Sequence, residues 1–331
     1  MKSISHWARR MVAVVFAASL ATAAVAGPSD YKTMHVFGDS LSDTGNDLAA
    51  TTAQHMVPAI PPSASPYATY WQGRFSNGPV AVEYLWKLVS RKPDAELVPF
   101  VVAGGVDKKS SVNFAFGGAG SGTQNLTPNG FMVPGLVGQV GLYKTALGKK
   151  KSDSKALYVV WAGSNDYLQN LTLDPYAVVG NVAGAIRALH DSGARDFLVP
   201  NLPDLGATPQ VKAQGAGASA QFTTLAKSHN ALLASNLDAL SRLPGIRIVR
   251  LDVYALGEVL LKTGLVNADV PALAFLSPNT GAVDCLFRNP ATCVDVTQTG
   301  FLAPFLYWDL LHPTTQVHSI LGTAMFIALK K

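Results

Sequence analysis

Thr33-Met34-His35-Val36-Phe37-Gly38-Asp39-Ser40-Leu41-Ser42-Asp43-Thr44-Gly45-Asn46 carries the pattern that decides the fold. Its first five residues (TMHVF) mix β-branched and aromatic side chains and stop at a glycine. That is the mark of a short buried strand ending in a turn. Four similar runs follow. They are residues 111–116 (SVNFAF) before Gly117-Gly118, 155–161 (KALYVVW) before Ala162-Gly163, 195–199 (RDFLV) before Pro200-Asn201, and 246–251 (IRIVRL) before Asp252. Between them, residues 80–90, 176–190 and 218–241 have helical spacing. Alternating strands and helices predict an α/β fold, a three-layer α/β/α sandwich around a central parallel sheet of about five strands. Such sheets bind ligands at the carboxyl ends of their strands. Residues 46–71, with Pro58, Pro61, Pro62 and Pro66, and residues 263–308 read as loop-like additions, which at this length are usually lids or site walls.

The N-terminus bears on the charge balance. Residues 1–10 carry Lys2, Arg9 and Arg10 and no acid, residues 11–26 are an apolar Ala/Val-rich run, and Ala24-Val25-Ala26 precedes Gly27. A basic region, an apolar run and an A-x-A exit predict a cleavable signal peptide over residues 1–26 and one domain over 27–331. The run is shorter than the ~20 apolar residues of a membrane-spanning helix. The whole chain of 331 residues has 26 Lys+Arg against 21 Asp+Glu; loss of the leader removes three cations and leaves an excess of two. That excess makes no case for nucleic acid as a partner. With 48% hydrophobic residues, a disordered or disulfide-scaffold chain is excluded. The expected location is across the inner membrane, periplasmic or extracellular. In that oxidising setting the two cysteines, Cys285 and Cys293, are expected to form a disulfide around a short loop. Their spacing, with no histidine nearby, does not suit zinc.

Ser40 stands just past a strand end on a glycine turn, a good place for a nucleophile that a base must activate. A G-x-S-x-G elbow is absent, which argues against an ordinary α/β-hydrolase, and a Ser/Asp capping turn would read the same way locally. The far end of the chain alters this balance. In Tyr307-Trp308-Asp309-Leu310-Leu311-His312-Pro313, an acid and an imidazole lie three apart. Pro313 biases His312 away from helix and suits the first position of the helix that follows. An Asp that orients a His, which serves as base to a Ser, is a triad. Of the seven histidines, only His312 has an acid at this spacing in a loop before a helix. Gly117-Gly118-Ala119-Gly120 can present backbone N–H groups, and Asn165 in Gly163-Ser164-Asn165-Asp166 offers a side-chain amide. Both follow predicted strands, as oxyanion donors would. The glycine stretch has the wrong spacing for a dinucleotide site.

Four ordered blocks resemble the GDSL-type lipases/esterases of the SGNH hydrolase superfamily: residues 37–46, 113–119, 163–166 and 308–314. Gly73-Arg74-Phe75-Ser76-Asn77-Gly78 is similar to the longer members, including secreted bacterial esterases and lysophospholipases. The resemblance implies a flavodoxin-like SGNH hydrolase fold and a role for each matching position. Ser40 would be the nucleophile, His312 the base and Asp309 its partner. Ser40 N–H, Gly118 N–H (or that of Gly117, one residue away) and the Asn165 amide would hold the oxyanion. It implies no metal or organic cofactor, a small-molecule or lipid ester as substrate, at most a transient contact with a membrane surface, and no stable partner. Two other readings stay open at this point: a lipid acyltransferase or phospholipase using the same site, and an exported non-catalytic binding module.

Overall fold

The computed structural model describes residues 31–64, 69–107, 109–264, 266–274 and 304–331. The expected leader and the Cys285–Cys293 disulfide lie outside the described residues. Eight strands occur among the described ones: β1 (Met34–Gly38), β2 (Val98–Pro99), β3 (Val112–Asn113), β4 (Gln124–Leu126), β5 (Met132–Pro134), β6 (Leu157–Trp161), β7 (Asp196–Pro200) and β8 (Arg247–Leu251). Six of them form one parallel sheet in the order β2-β3-β1-β6-β7-β8, and β4 and β5 form a small antiparallel hairpin. The chain starts in the middle, builds β2 and β3 to one side, then crosses to β6 and builds outward on the other. Reversal of direction at β1 makes the gap between the carboxyl ends of β1 and β6 the switch point, where open α/β sheets bind ligands.

Both faces of the sheet are buried, as a parallel sheet requires. Successive side chains of one strand point to opposite faces. Met34, Val36, Leu157, Val159, Trp161 and Leu198 pack on one side with helices Ala81–Ser90, Val253–Thr263 and Thr315–Leu329. Phe37, Tyr158, Val160, Phe197 and Val199 pack on the other with helices Leu136–Leu147, Pro175–Ser192 and Ala216–Leu240. Crossovers to opposite sides of β1 put their helices on opposite faces, because each crossover is right-handed.

The sheet differs from the sequence reading in three places. It has six strands rather than about five, since β2 is a two-residue edge strand too short to leave a pattern. Residues 46–71 are not loop throughout: Asn46–Ala53 is a helix. Asp43 makes that helix, because its carboxylate accepts from Gly45 N–H (2.8 Å), Asn46 N–H (2.7 Å) and Asp47 N–H (3.2 Å), groups that a helix start leaves unpaired. The last helix begins at Thr315 rather than Pro313. Pro313 instead bridges Tyr307, and its C=O accepts from Ser76 Oγ at 2.9 Å.

Gln139 fixes the end of β1 two residues before Ser40. Fully buried, it accepts from Gly38 N–H at 2.9 Å through Oε1 and donates to Gly38 C=O at 2.8 Å and Pro134 C=O at 3.0 Å through Nε2. Gln139→Leu keeps the volume but leaves Gly38 N–H with no acceptor in the interior. It should lower unfolding free energy by ~1–3 kcal/mol in urea titration. A variant as stable as the parent would contradict this role.

Candidate active site

Four chain segments converge at the switch point. Ser40 follows β1 in a tight turn closed by Ser42 N–H and Asp43 N–H on the Asp39 C=O (2.9 and 3.0 Å). Its Oγ lies 2.8 Å from His312 Nε2, and His312 Nδ1 lies 2.7 Å from Asp309 Oδ2. All three side chains are buried. Asp309 shapes its own loop, since Oδ1 accepts from Leu311 N–H (2.8 Å) and His312 N–H (2.7 Å). Its Oδ2 also accepts from Tyr70 Oη at 2.7 Å. Burial alone would raise the Asp309 pKa, but the His312 charge and these N–H donors outweigh it and hold the carboxyl below the usual carboxylate range. A carboxylate so fixed keeps the proton on Nδ1 and leaves Nε2 as acceptor for the Ser40 hydroxyl.

The segment Gly73–Gly78 carries this loop. Ser76 Oγ holds the Pro313 C=O, Asn77 Oδ1 accepts from Thr315 N–H at 2.9 Å, and the Phe75 ring lies 5.2 Å from the imidazole. The loop after β3 turns sharply at Gly117-Gly118. A side chain at Gly117 would run into the Phe75 ring and the Asp47 carboxyl, and Gly118 has φ +75°. Gly117 N–H donates to Asp43 Oδ2 at 3.3 Å. Gly118 C=O is tied down by Asn125 Nδ2 (2.9 Å) and Gln169 Nε2 (2.8 Å), while its N–H has no hydrogen bond among the described residues. The Ser40 N–H is likewise open. Asn165, in the short helix Ser164–Leu168 that follows β6, donates one amide hydrogen to Ala119 C=O at 3.1 Å, which leaves the other available. Of the two neighbouring glycines, Gly118 therefore has the N–H available to a bound group. Ser40, Gly118, Asn165 and His312 line one cavity. The arrangement can deprotonate a hydroxyl and stabilise negative charge on an oxygen beside it.

Tyr70 and Asp43 are parts that the sequence left unmarked. Tyr70 lies in a proline-rich stretch with no periodicity, so nothing local signalled it. Asp43 stands in the first block, where it looked like one more turn residue. Both acids of that block, Asp39 and Asp43, are buried, and so is Asp47 just after it. Burial pushes Asp39 up to about 7 against the Leu41 N–H and the His312 charge, and pushes Asp43 up to about 6 against its four N–H donors. Asp47 lies well above the carboxylate range through burial and the charge of Asp43.

A family model described as GDSL-like Lipase/Acylhydrolase matches residues 34–325. The chain belongs to this family. It is an acyl ester hydrolase, with a small-molecule ester as substrate. A GDSL esterase/lipase of Arabidopsis thaliana is 25% identical over 331 aligned positions, covering 88% of this chain and 86% of the relative. The thermolabile hemolysin of Vibrio parahaemolyticus is 27% identical, covering 90% of this chain and 64% of the relative. Among solved structures, a carbohydrate acetylesterase from Sinorhizobium meliloti matches with a TM-score of 0.43 at 14% identity, over 90% of this chain and 96% of that one.

These three buried acids should leave a signature in stability. A carboxyl whose folded pKa is raised binds more protons folded than unfolded, so stability falls as pH climbs from the unfolded value towards the folded one. Asp47→Asn removes one such group. Its melting temperature, relative to the parent, should rise steadily between pH 4.5 and 7.5. A constant difference across that range would refute the buried-acid account.

Proposed function

We propose that this GDSL hydrolase is an exported serine esterase/lipase that works through an acyl-enzyme on Ser40. The observation that carries the reading is the continuous hydrogen-bonded line from Ser40 through His312 to Asp309, beside open N–H donors at one cavity. His312 Nε2 takes the Ser40 proton as Oγ attacks the ester carbonyl. Negative charge that develops on the carbonyl oxygen meets Ser40 N–H, Gly118 N–H and the free amide hydrogen of Asn165, donors already held in place. Asp309 stays ionised and stabilises the imidazolium. His312 then protonates the leaving alcohol, and water repeats the sequence on the acyl-enzyme. Tyr70 serves as a positioning residue, since its hydroxyl fixes the Asp309 oxygen that faces the imidazole.

Ser40→Ala and His312→Ala should each lose nearly all hydrolysis of p-nitrophenyl esters while the far-UV CD spectrum stays unchanged. Asn165→Ala should lose ~10²–10³ in kcat, the usual effect of removing one oxyanion donor. An organophosphonate should label Ser40 and no other serine. Full activity in Ser40→Ala would sink the assignment.

Export rests on the N-terminal pattern alone: the basic residues, the apolar run and Ala24-Val25-Ala26. N-terminal sequencing of protein recovered from the periplasm or medium should begin at Gly27. Recovery only of chains that retain Met1 would contradict export by a cleaved leader.

A further inference from the structure

Ser40 stands where two cavities meet, and the two differ in size and lining. Both are bounded by Ser40, Asn165, Leu168, Leu311 and His312. One, of about 560 Å³ with its open mouth, is mixed: Ile60, Phe75 and Phe131 line it beside Asp47, Gln169 and Gln210. The other, of about 900 Å³ with its mouth, is walled by Trp161, Val253, Leu260, Leu306, Val317 and Leu321. Apart from the Tyr307 hydroxyl, its few polar members are engaged or belong to the shared mouth. Asp204 accepts from Gly206 N–H and Thr223 Oγ1, and Thr208 Oγ1 donates to Leu205 C=O. Asp39 and Ser164 are chain neighbours of Ser40 and Asn165.

Gly257 keeps the second cavity open. Helix Val253–Thr263 turns Val253, Gly257 and Leu260 towards it, the spacing of one helix face. Val253 and Leu260 are buried, so this is the stripe on which a core-facing helix carries large apolar residues. Glycine there weakens the helix. Close packing does not demand it: a Cβ at Gly257 would meet nothing within 4 Å, whereas at Gly322 of the facing helix it would lie 2.6 Å from the Ala81 C=O. What the missing side chain leaves is room in the cavity. The wall from Val253 to Leu260 is two helical turns, ~10 Å.

The first cavity is the smaller, and its wall holds the Asp47 carboxyl and Gln210 Oε1, buried without a hydrogen bond among the described residues. The helical wall of the second cavity carries no such group, so it is the better seat for an alkyl chain.

We infer that the larger, apolar cavity is the acyl pocket, that it takes a medium-chain fatty acyl group, and that Gly257 sets the chain length accepted. This rests on the ester-hydrolase reading above.

The test compares kcat/KM for p-nitrophenyl acetate and decanoate in the parent and in Gly257→Ala, Gly257→Leu and Gly257→Phe. The decanoate-to-acetate ratio should fall stepwise with side-chain size, by about tenfold or more for Leu, since pocket methylenes are each worth that order in selectivity. Gly257→Ala raises helix propensity. If the larger variants fail to fold, a smaller fall of the same sign in Ala carries the result. Asn129→Phe, on a turn that lines the first cavity, should leave the ratio as it is. A ratio unchanged throughout the Gly257 series, or one that falls with Asn129→Phe instead, overturns the acyl assignment and leaves the hydrolase reading intact. A parent that cleaves no ester removes both.

Discussion

Ser40 Oγ and His312 Nε2 are 272 residues apart in sequence and 2.8 Å apart in space. That one contact constrains the rest of the molecule, because it exists only if the first strand and the segment before the last helix arrive at the same point. β1 is the centre of the sheet, paired along its length with β6 and flanked by β3. Its end is pinned by Gln139 from the opposite layer. The His312 loop has no strand of its own to fix it. It is held from outside, by Ser76 on the Pro313 C=O, by Asn77 on Thr315 N–H and by Thr314 Oγ1 on the Phe305 C=O (2.8 Å). A sheet end fixed by core packing thus meets a loop fixed by side-chain hydrogen bonds, and the accuracy of the site depends on both.

The buried acids around Ser40 bear the strain of this design. Asp43 collects four backbone N–H groups and so organises three things together: the turn after Ser40, the helix Asn46–Ala53 and the Gly117 amide. By taking up Gly117 N–H it leaves Gly118 N–H as the donor that faces the cavity. A carboxylate in the interior is costly unless paired, and a raised pKa is the measure of that cost. Asp39, Asp43 and Asp47 are all raised, whereas Asp309 is lowered, although all four are buried. The imidazole acts on Asp39 only through its charge, whereas it also hydrogen-bonds Asp309 directly. The acid whose pKa is lowered is thereby the one that touches the imidazole.

Much of the frame was legible because it is local. An apolar run ending in glycine marks a strand end whether or not its partners are known, and β1, β6, β7 and β8 fall within a residue or two of their sequence bounds. Ser40 and Asn165 follow such strand ends, Asp309 and His312 precede a helix, and the structure brings the four together. The sequence bounds of the strand before Gly117 ran past β3, yet Phe114 N–H and Phe116 N–H still bond to Val36 and Gly38 C=O, so the extended backbone continues. What stayed hidden depends on distant partners. β2 is two residues long, Tyr70 matters only because Asp309 reaches it, and the choice between Gly117 and Gly118 turns on one hydrogen bond from Asp43. The helix at residues 46–53 was masked by the prolines after it, since its start depends on the Asp43 side chain rather than on any periodicity of its own.

Gly257 belongs to the same hidden class. In sequence it reads as a flaw in an otherwise apolar helix, and only the cavity beside it gives the absent side chain a meaning. The walls of that cavity come largely from helices Val253–Thr263 and Thr315–Leu329 and from residues just before His312, while Ser40, Gly118 and Asn165 stand in the segments that follow β1, β3 and β6. On the proposed reading, reaction and substrate choice are carried by different parts of the chain. A side chain added on the helical wall changes the space for a substrate without touching the hydrogen bonds that hold Ser40, Asn165 and Gly118. A change at the sheet ends cannot do so, because Asp43, Asn113 and Gln139 tie those turns to one another. Variation in what the site accepts is physically cheap on one side of Ser40 and expensive on the other.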